Sequence, residues 1–149
     1  MGIEIKKLHK SFAGQVVLAG IDLSIKQGKI TAILGPSGTG KSVLLKIITG
    51  LECADSGEVS INGELMTSAK NIDERLKICS QMGVLFQRAA LFDSMSLYEN
   101  VAFPLRERFD FKRLRLTEAE IEKRVLKRLE EVAMRGYENK LPGEVSIGM

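Results

Sequence analysis

An α/β fold is predicted by three observations made within one short stretch of the chain. Residues 35–42 read Gly35-Pro36-Ser37-Gly38-Thr39-Gly40-Lys41-Ser42, a complete G-x-x-x-x-G-K-[ST] pattern. The run Lys29-Ile30-Thr31-Ala32-Ile33-Leu34 before it is apolar and suits a buried parallel strand. After it, Val43, Leu44, Ile47 and Ile48 recur at helical spacing, and Gly50 stands where such a helix would stop. Strand, glycine loop and helix form the context in which this pattern cradles phosphate. The glycines let backbone N–H groups turn inward without a Cβ in the way. Lys41 supplies a mobile point charge for the β- and γ-phosphates, and the Ser42 hydroxyl is a ligand for the Mg²⁺ that accompanies a nucleoside triphosphate. A helix N-terminus at the loop's end adds orphan amides and a favourable dipole. By chance the pattern arises in roughly one chain in 200 of this size, and the flanking strand and helix signals lengthen those odds.

The chain has 149 residues, 44% apolar and 28% charged, with a net charge of +3. That composition is ordinary for a globular protein, and the charge is too small to argue for a nucleic-acid or membrane partner. Cys53 and Cys79 have no metal-ligand spacing and read as small buried thiols. The N-terminus lacks the apolar segment of a secretory signal, and Lys6 stands where a myristoylation motif wants Ser or Thr. No run approaches the length of a membrane-spanning helix. A cytoplasmic chain is expected.

Along the chain, Ile3-Glu4-Ile5 alternates, and Ile21, Leu23 and Ile25 share one face of a second strand. Gln27-Gly28 is a turn. Asp55-Ser56-Gly57 reads as another turn, followed by a strand over Glu58–Ile61 that Asn62-Gly63 closes. Asn71–Cys79 reads as a short helix and Gly83-Val84-Leu85-Phe86 as another buried strand. Ser96–Leu105 fits a helix ended near Pro104. Thr117-Glu118-Ala119-Glu120 is a capping box opening a helix with Ile121, Val125, Leu129 and Val132 on its apolar face and Gly136 as its stop. Two lobes follow: an α/β nucleotide core with an antiparallel edge over residues 1–87, and a helical subdomain over 88–149.

With these motifs in place, the chain resembles the ATP-binding subunit of ABC transporters from end to end. Four features beside the P-loop carry the resemblance. Lys10-Ser11-Phe12-Ala13-Gly14 stands at the place of the aromatic A-loop, which implies Phe12 stacking on adenine with Val17 beside it in the nucleotide-contacting set. Ile48-Thr49-Gly50-Leu51, Asp55–Val59 and Asn62-Gly63 look like the antiparallel subdomain. Val84-Leu85-Phe86-Gln87 resembles the Q-loop, which implies that Gln87 reaches Mg²⁺ and the attacking water. Leu141–Met149 resembles the approach to the signature, which implies that Ser146 and Gly148 contact the ATP held by an opposite subunit. The fold implied is a P-loop NTPase core of the ABC type. The stretch Leu85–Arg106 is similar to the ATPase of phospholipid-trafficking importers that work with MCE-type substrate-binding proteins, first tied to organic-solvent tolerance. The resemblance implies ATP and Mg²⁺ as cofactors and a second ATPase subunit in a homodimer. It also implies a transmembrane permease holding the chain at the inner face of the membrane, an MCE-type protein acting indirectly, and no nucleic acid.

Two departures qualify what the resemblance implies. Ile147 stands where the signature has glycine, and a β-branched residue resists the close backbone approach that glycine permits. The sequence stops at Met149, before the family's acidic strand, catalytic Glu and switch His, so it reads as a C-terminally truncated ATPase that binds nucleotide without a general base. Such a chain is expected to be less stable than a whole domain, or to associate. A non-catalytic nucleotide-binding or interaction fragment is the alternative. A GTPase reading fails because Asn139-Lys140-Leu141-Pro142 lacks the Asp of a guanine reader. Arg106, Arg108, Lys112, Arg113 and Arg115, interleaved with Phe109 and Phe111, read as a solvated helical surface, since Glu107, Asp110 and Glu118 dilute the charge.

Overall fold

The structure is a computed structural model that describes residues 2–69, 71–86, 90–107, 116–146 and 148. Its contacts divide the chain into residues 1–82 and residues 83–149, with the division ahead of the boundary at 87 drawn from sequence.

Among its described residues, the first unit is an antiparallel sheet with two α-helices. Strands β1 (Gly2–Phe12) and β2 (Gln15–Lys26) are joined by Ala13-Gly14, whose φ values of 47° and 84° suit a two-residue hairpin. Strand β3 (Ser56–Ile61) lies on the other side of β1, and β4 (Glu64–Leu65) closes the sheet through the Asn62-Gly63 turn. Strict alternation along β1 would put Ile5 and Leu8 on opposite faces. Both are buried, because the β1–β2 register shifts between them and Lys7 takes φ 45°. This bulge is fixed by the Lys7 N–H donating to Asp22 Oδ1 at 2.9 Å. Beyond it Leu8 and Lys10 alternate inward. The inner face of the sheet packs Ile5, Leu8, Leu18, Val59 and Ile61 against Leu44, Ile47 and Ile48 of helix α1 (Lys41–Ile48). Helix α2 (Ile72–Cys79) is capped by the Asn71 side chain, which accepts from the Glu74 N–H at 2.8 Å, and adds Ile78 to the core.

Several sequence expectations are corrected here. Residues 29–34 and 83–86 are not strands, and no strand among the described residues pairs with either run. Leu34 is 89% exposed and Leu85 is 91% exposed. An apolar run becomes a buried parallel strand only between hydrogen-bonded neighbours, and neither run has them among the described residues. Asp55-Ser56-Gly57 is not a separate turn: β3 already begins at Ser56. Cys53 is exposed and Cys79 half-buried, so the two are not both core thiols.

The second unit holds helices α3 (Leu97–Glu107) and α4 (Glu118–Glu131), packed through Leu97, Ala102, Ile121, Val125 and Leu129 with Met134. Ser96 and Glu99 form a reciprocal cap at the start of α3, with bonds of 3.2 Å and 2.7 Å. Pro104 lies inside α3 and does not end it. Proline removes one backbone bond but keeps a helical φ, and the turn after it is held by Leu105 in the cluster and by a 2.7 Å Arg106–Glu118 ion pair. The capping box at Thr117 and Glu120 forms as its sequence predicts. Helix α4 ends at Glu131, before Gly136. Its C-cap Val132 leaves the helical period, Ala133 takes φ 57°, and Met134 fills the core in place of Val132.

Candidate functional site

The P-loop follows from local chemistry. Gly40 is the N-cap of α1 with φ 88°, a left-handed conformation that most residues resist. No side chain caps the helix, and no acid sits in its first turn. The first amides of α1 therefore have no intrahelical partner and carry the positive end of the helix dipole. Leu44, Ile47 and Ile48 bury the opposite face and fix the helix axis.

Within the loop, the Thr39 hydroxyl donates to the Pro36 carbonyl at 3.0 Å. The Lys41 ammonium donates to the carbonyls of Gly35 at 2.8 Å and Pro36 at 2.6 Å. It also reaches the Thr39 hydroxyl at 3.5 Å, so all three of its donors are directed at the loop it belongs to. Gly35, Pro36, Ser37, Gly38 and Thr39 are all exposed, leaving the loop open to solvent. Ser42 is exposed on the first turn of α1. One hydroxyl fits a Mg²⁺ that takes most of its oxygens from a nucleotide and water. Among the described residues no group of three His, Cys, Asp or Glu could hold a metal without such help.

The β1–β2 hairpin brings one further predicted residue, Val17, to this region and carries Phe12 at its tip. Ser11 pairs with Val16 and Lys10 with Leu18, so Val17 is an extra residue bulged out of the ladder. Both Val17 and Leu18 thereby reach Gly40: a Cβ there would meet Leu18 Cδ2 at 2.9 Å and Val17 Cγ1 at 3.0 Å. Phe12, at the hairpin's tip, is 43% exposed, consistent with a ring offered to a ligand. Ser146 and Gly148 are exposed in the second unit, while Gln87 and Ile147 lie outside the described residues, as do positions 108–115 of the basic stretch.

Sequence reasoning missed the groups that hold Phe12. Lys10 is the only buried charged residue among the described residues. Its ammonium lies 3.1 Å from Glu52, 3.2 Å from Asp55 and 4.9 Å from the centre of the Phe12 ring. Asp55 also accepts from the Ser11 N–H at 2.6 Å. Glu52 raises the Lys10 pKa above its ordinary value, with Asp55 adding to the effect. Lys10 in turn lowers that of Glu52, while the Ser11 N–H first and Lys10 second lower that of Asp55. One signal was available: Lys10 shares the inward parity of Leu8, and an inward lysine needs a partner. Which acids supply it is not legible from spacing. No helix among the described residues is long and apolar enough to cross a membrane.

A profile of the ABC transporter family matches residues 18–149. The chain is 45% identical over 148 residues to the sulfate/thiosulfate import ATP-binding protein CysA of Methylococcus capsulatus, covering 99% of this chain and 40% of the relative. It is 44% identical to the probable ribonucleotide transport ATP-binding protein mkl of Mycobacterium leprae, covering 100% of this chain and 41% of the relative. It is 40% identical to the chloroplastic protein TRIGALACTOSYLDIACYLGLYCEROL 3 of Arabidopsis thaliana, covering 99% of this chain and 41% of that protein. The chain thus spans about two fifths of the length of these curated relatives. Among solved structures, the dimeric bacterial ABC transporter cassette MJ0796 matches with a TM-score of 0.84 at 31% identity, covering 98% of this chain and 64% of that one.

Proposed function

Because this chain belongs to the ABC transporter family and carries the fold of its ATP-binding cassettes, we propose that it binds Mg-ATP as the nucleotide-binding part of a transport ATPase. One observation carries this reading above the others: Lys41 bridges the Gly35 and Pro36 carbonyls at the uncapped N-terminus of α1. Charge and free amides converge there on a space suited to phosphate. In this reading Phe12 and Val17 hold the base, Gly35–Ser42 holds the triphosphate, and Ser42 with Gln87 ligates Mg²⁺. Lys41 and Gln87 act on the γ-phosphate and the water, while Ser146 and Gly148 serve the ATP of a second copy. A solved relative described as a dimeric post-hydrolysis state bound to ADP and Pi, 30% identical with a TM-score of 0.81, supports both nucleotide and pairing. A relative described as part of the complex cbiONQ supports a membrane partner. Such a partner would hold the chain at the inner face of the membrane.

The cargo we propose is a lipid, through a permease served by an MCE-type protein. The stretch Leu85–Arg106 and the relative named after trigalactosyldiacylglycerol support it. The names of two other relatives point to sulfate and to ribonucleotides, so the cargo rests on that stretch and that one relative. The deciding measurement is Mg-ATP binding and turnover on the chain, with Lys41→Ala beside it. Binding that Lys41→Ala abolishes, without turnover, is expected. Binding that survives Lys41→Ala, or preference for GTP, overturns the reading.

A further inference from the structure

We propose that Lys10 is a positioning residue for the nucleotide base, holding the Phe12 ring so that one of its faces is free to stack. The proposal rests on the reading that Phe12 stacks on the base, and adds a group that no motif assigns.

The argument starts from a cost. A lysine side chain only 11% exposed has given up most of its water, and such lysines are kept only when paired. Lys10 meets this with three neighbours for three N–H donors: the Glu52 carboxylate, the Asp55 carboxylate and the Phe12 ring. At 4.9 Å from the ring centre the ammonium is within cation–π range. Two acids fix the ammonium, and the ammonium favours one placement of the ring. A half-exposed aromatic would otherwise lose rotamer freedom only when the base arrives, weakening binding by that entropy. Covering one face also leaves a single face for a base, and draws electron density from a ring that must stack on another π system.

The same acids reach further. Asp55 accepts from the Ser11 N–H and donates its own N–H to the His9 carbonyl at 3.0 Å, fixing the strand that ends at Phe12. Glu52 and Asp55 both follow closely on α1, the helix whose N-terminus forms the phosphate loop. Lys10 therefore ties the base-holding strand to the segment leaving the phosphate-holding helix. Charge at this point acts on the base and not on the phosphates.

The test separates base from phosphate on the whole 149-residue chain. Affinities for Mg-ATP and for Mg²⁺ with inorganic tripolyphosphate are measured by calorimetry for the wild type, Lys10→Met, Lys10→Arg, Phe12→Ala and Lys10→Met/Phe12→Ala. Lys10→Met should weaken ATP about fivefold and leave tripolyphosphate unchanged. Lys10→Arg should recover most of the loss, since guanidinium also sits on aromatic faces. In the Phe12→Ala background Lys10→Met should have no further effect on ATP. Equal losses for ATP and tripolyphosphate, or the same loss with and without Phe12, overturn the proposal and leave Lys10 a structural brace. If Phe12→Ala leaves ATP affinity unchanged, the stacking reading itself falls, whatever Lys10 does. Should Lys10→Met fail to fold around two unpaired acids, Lys10→Met/Glu52→Gln/Asp55→Asn removes them, and the same base-only loss is required of it.

Discussion

The Val17 carbonyl oxygen and Cγ1 each lie 3.0 Å from the point where a Cβ on Gly40 would sit. Strand β2 thus packs against the N-cap of α1 at a distance only glycine allows. Gly38, in the same loop at φ 82°, has open space at that point.

Gly40→Ala and Gly38→Ala should therefore part company. Both place a Cβ at positive φ, at about 1 kcal/mol. Gly40→Ala must also displace Val17 and Leu18, bringing its cost to about 3 kcal/mol, and it should abolish Mg-ATP binding because the helix cap moves. Urea denaturation of the two variants, with nucleotide titration, checks this. Equal costs would mean that the Val17–Gly40 contact is not maintained in solution.

The Lys10 network sets a second expectation. Glu52 and Asp55 are held below their ordinary values, Glu52 chiefly by Lys10 and Asp55 chiefly by the Ser11 N–H. They stabilise the fold above their unfolded values of about 4, and that contribution is lost as pH falls through their lower folded values. Lys10 is raised, so its contribution is present below about 10.4 and lost as pH rises through its folded value. The stability gap between wild type and Lys10→Met should be flat from about pH 5 to 10 and close at both ends. Denaturation midpoints across pH read it directly. A gap unchanged at pH 3 would remove the ion pairs from the account.

What could be read from the chain was what is local. The helix that follows the glycine loop, the Asn62-Gly63 turn and the Thr117 box each lie within a few consecutive residues, and each forms. Lys29–Leu34 and Gly83–Phe86 read as strands from apolar content, but a strand is a property of its neighbours, and none pairs with them among the described residues. Lys10 and Asp55 are 45 residues apart, so nothing in their spacing joins them. The Val17 bulge was invisible for the same reason: alternation says which face a residue takes, not where the ladder slips.

The cap of α4 gives a purely structural prediction. Thr117 accepts from the Glu120 N–H at 3.3 Å, and Glu120 accepts from the Thr117 N–H at 2.8 Å. Thr117→Ala should cost about 1 kcal/mol, as should Glu120→Ala. Because each side chain serves the other's backbone, the double variant should cost less than the sum. Full additivity in thermal unfolding would mean that the two bonds form independently.

The sharpest test of packing against periodicity uses two valines on the same nominal helix face. Val125 and Val132 are seven residues apart, and the helical period gives them one environment. In the structure Val125 is 0% exposed between Ile121 and Leu129, whereas Val132 is 65% exposed at the C-cap. The difference arises because α4 ends at Glu131 and the chain turns at Ala133, sending Met134 inward with its N–H bonded to the Leu129 carbonyl at 2.7 Å. Val125→Ala should cost about 2 kcal/mol through lost contacts and the cavity left behind. Val132→Ala should fall within about 0.5 kcal/mol of wild type, and Met134→Ala should cost at least about 2 kcal/mol. A costly Val132→Ala beside a harmless Met134→Ala would mean that α4 runs on past Glu131, as the position of Gly136 suggests from sequence alone.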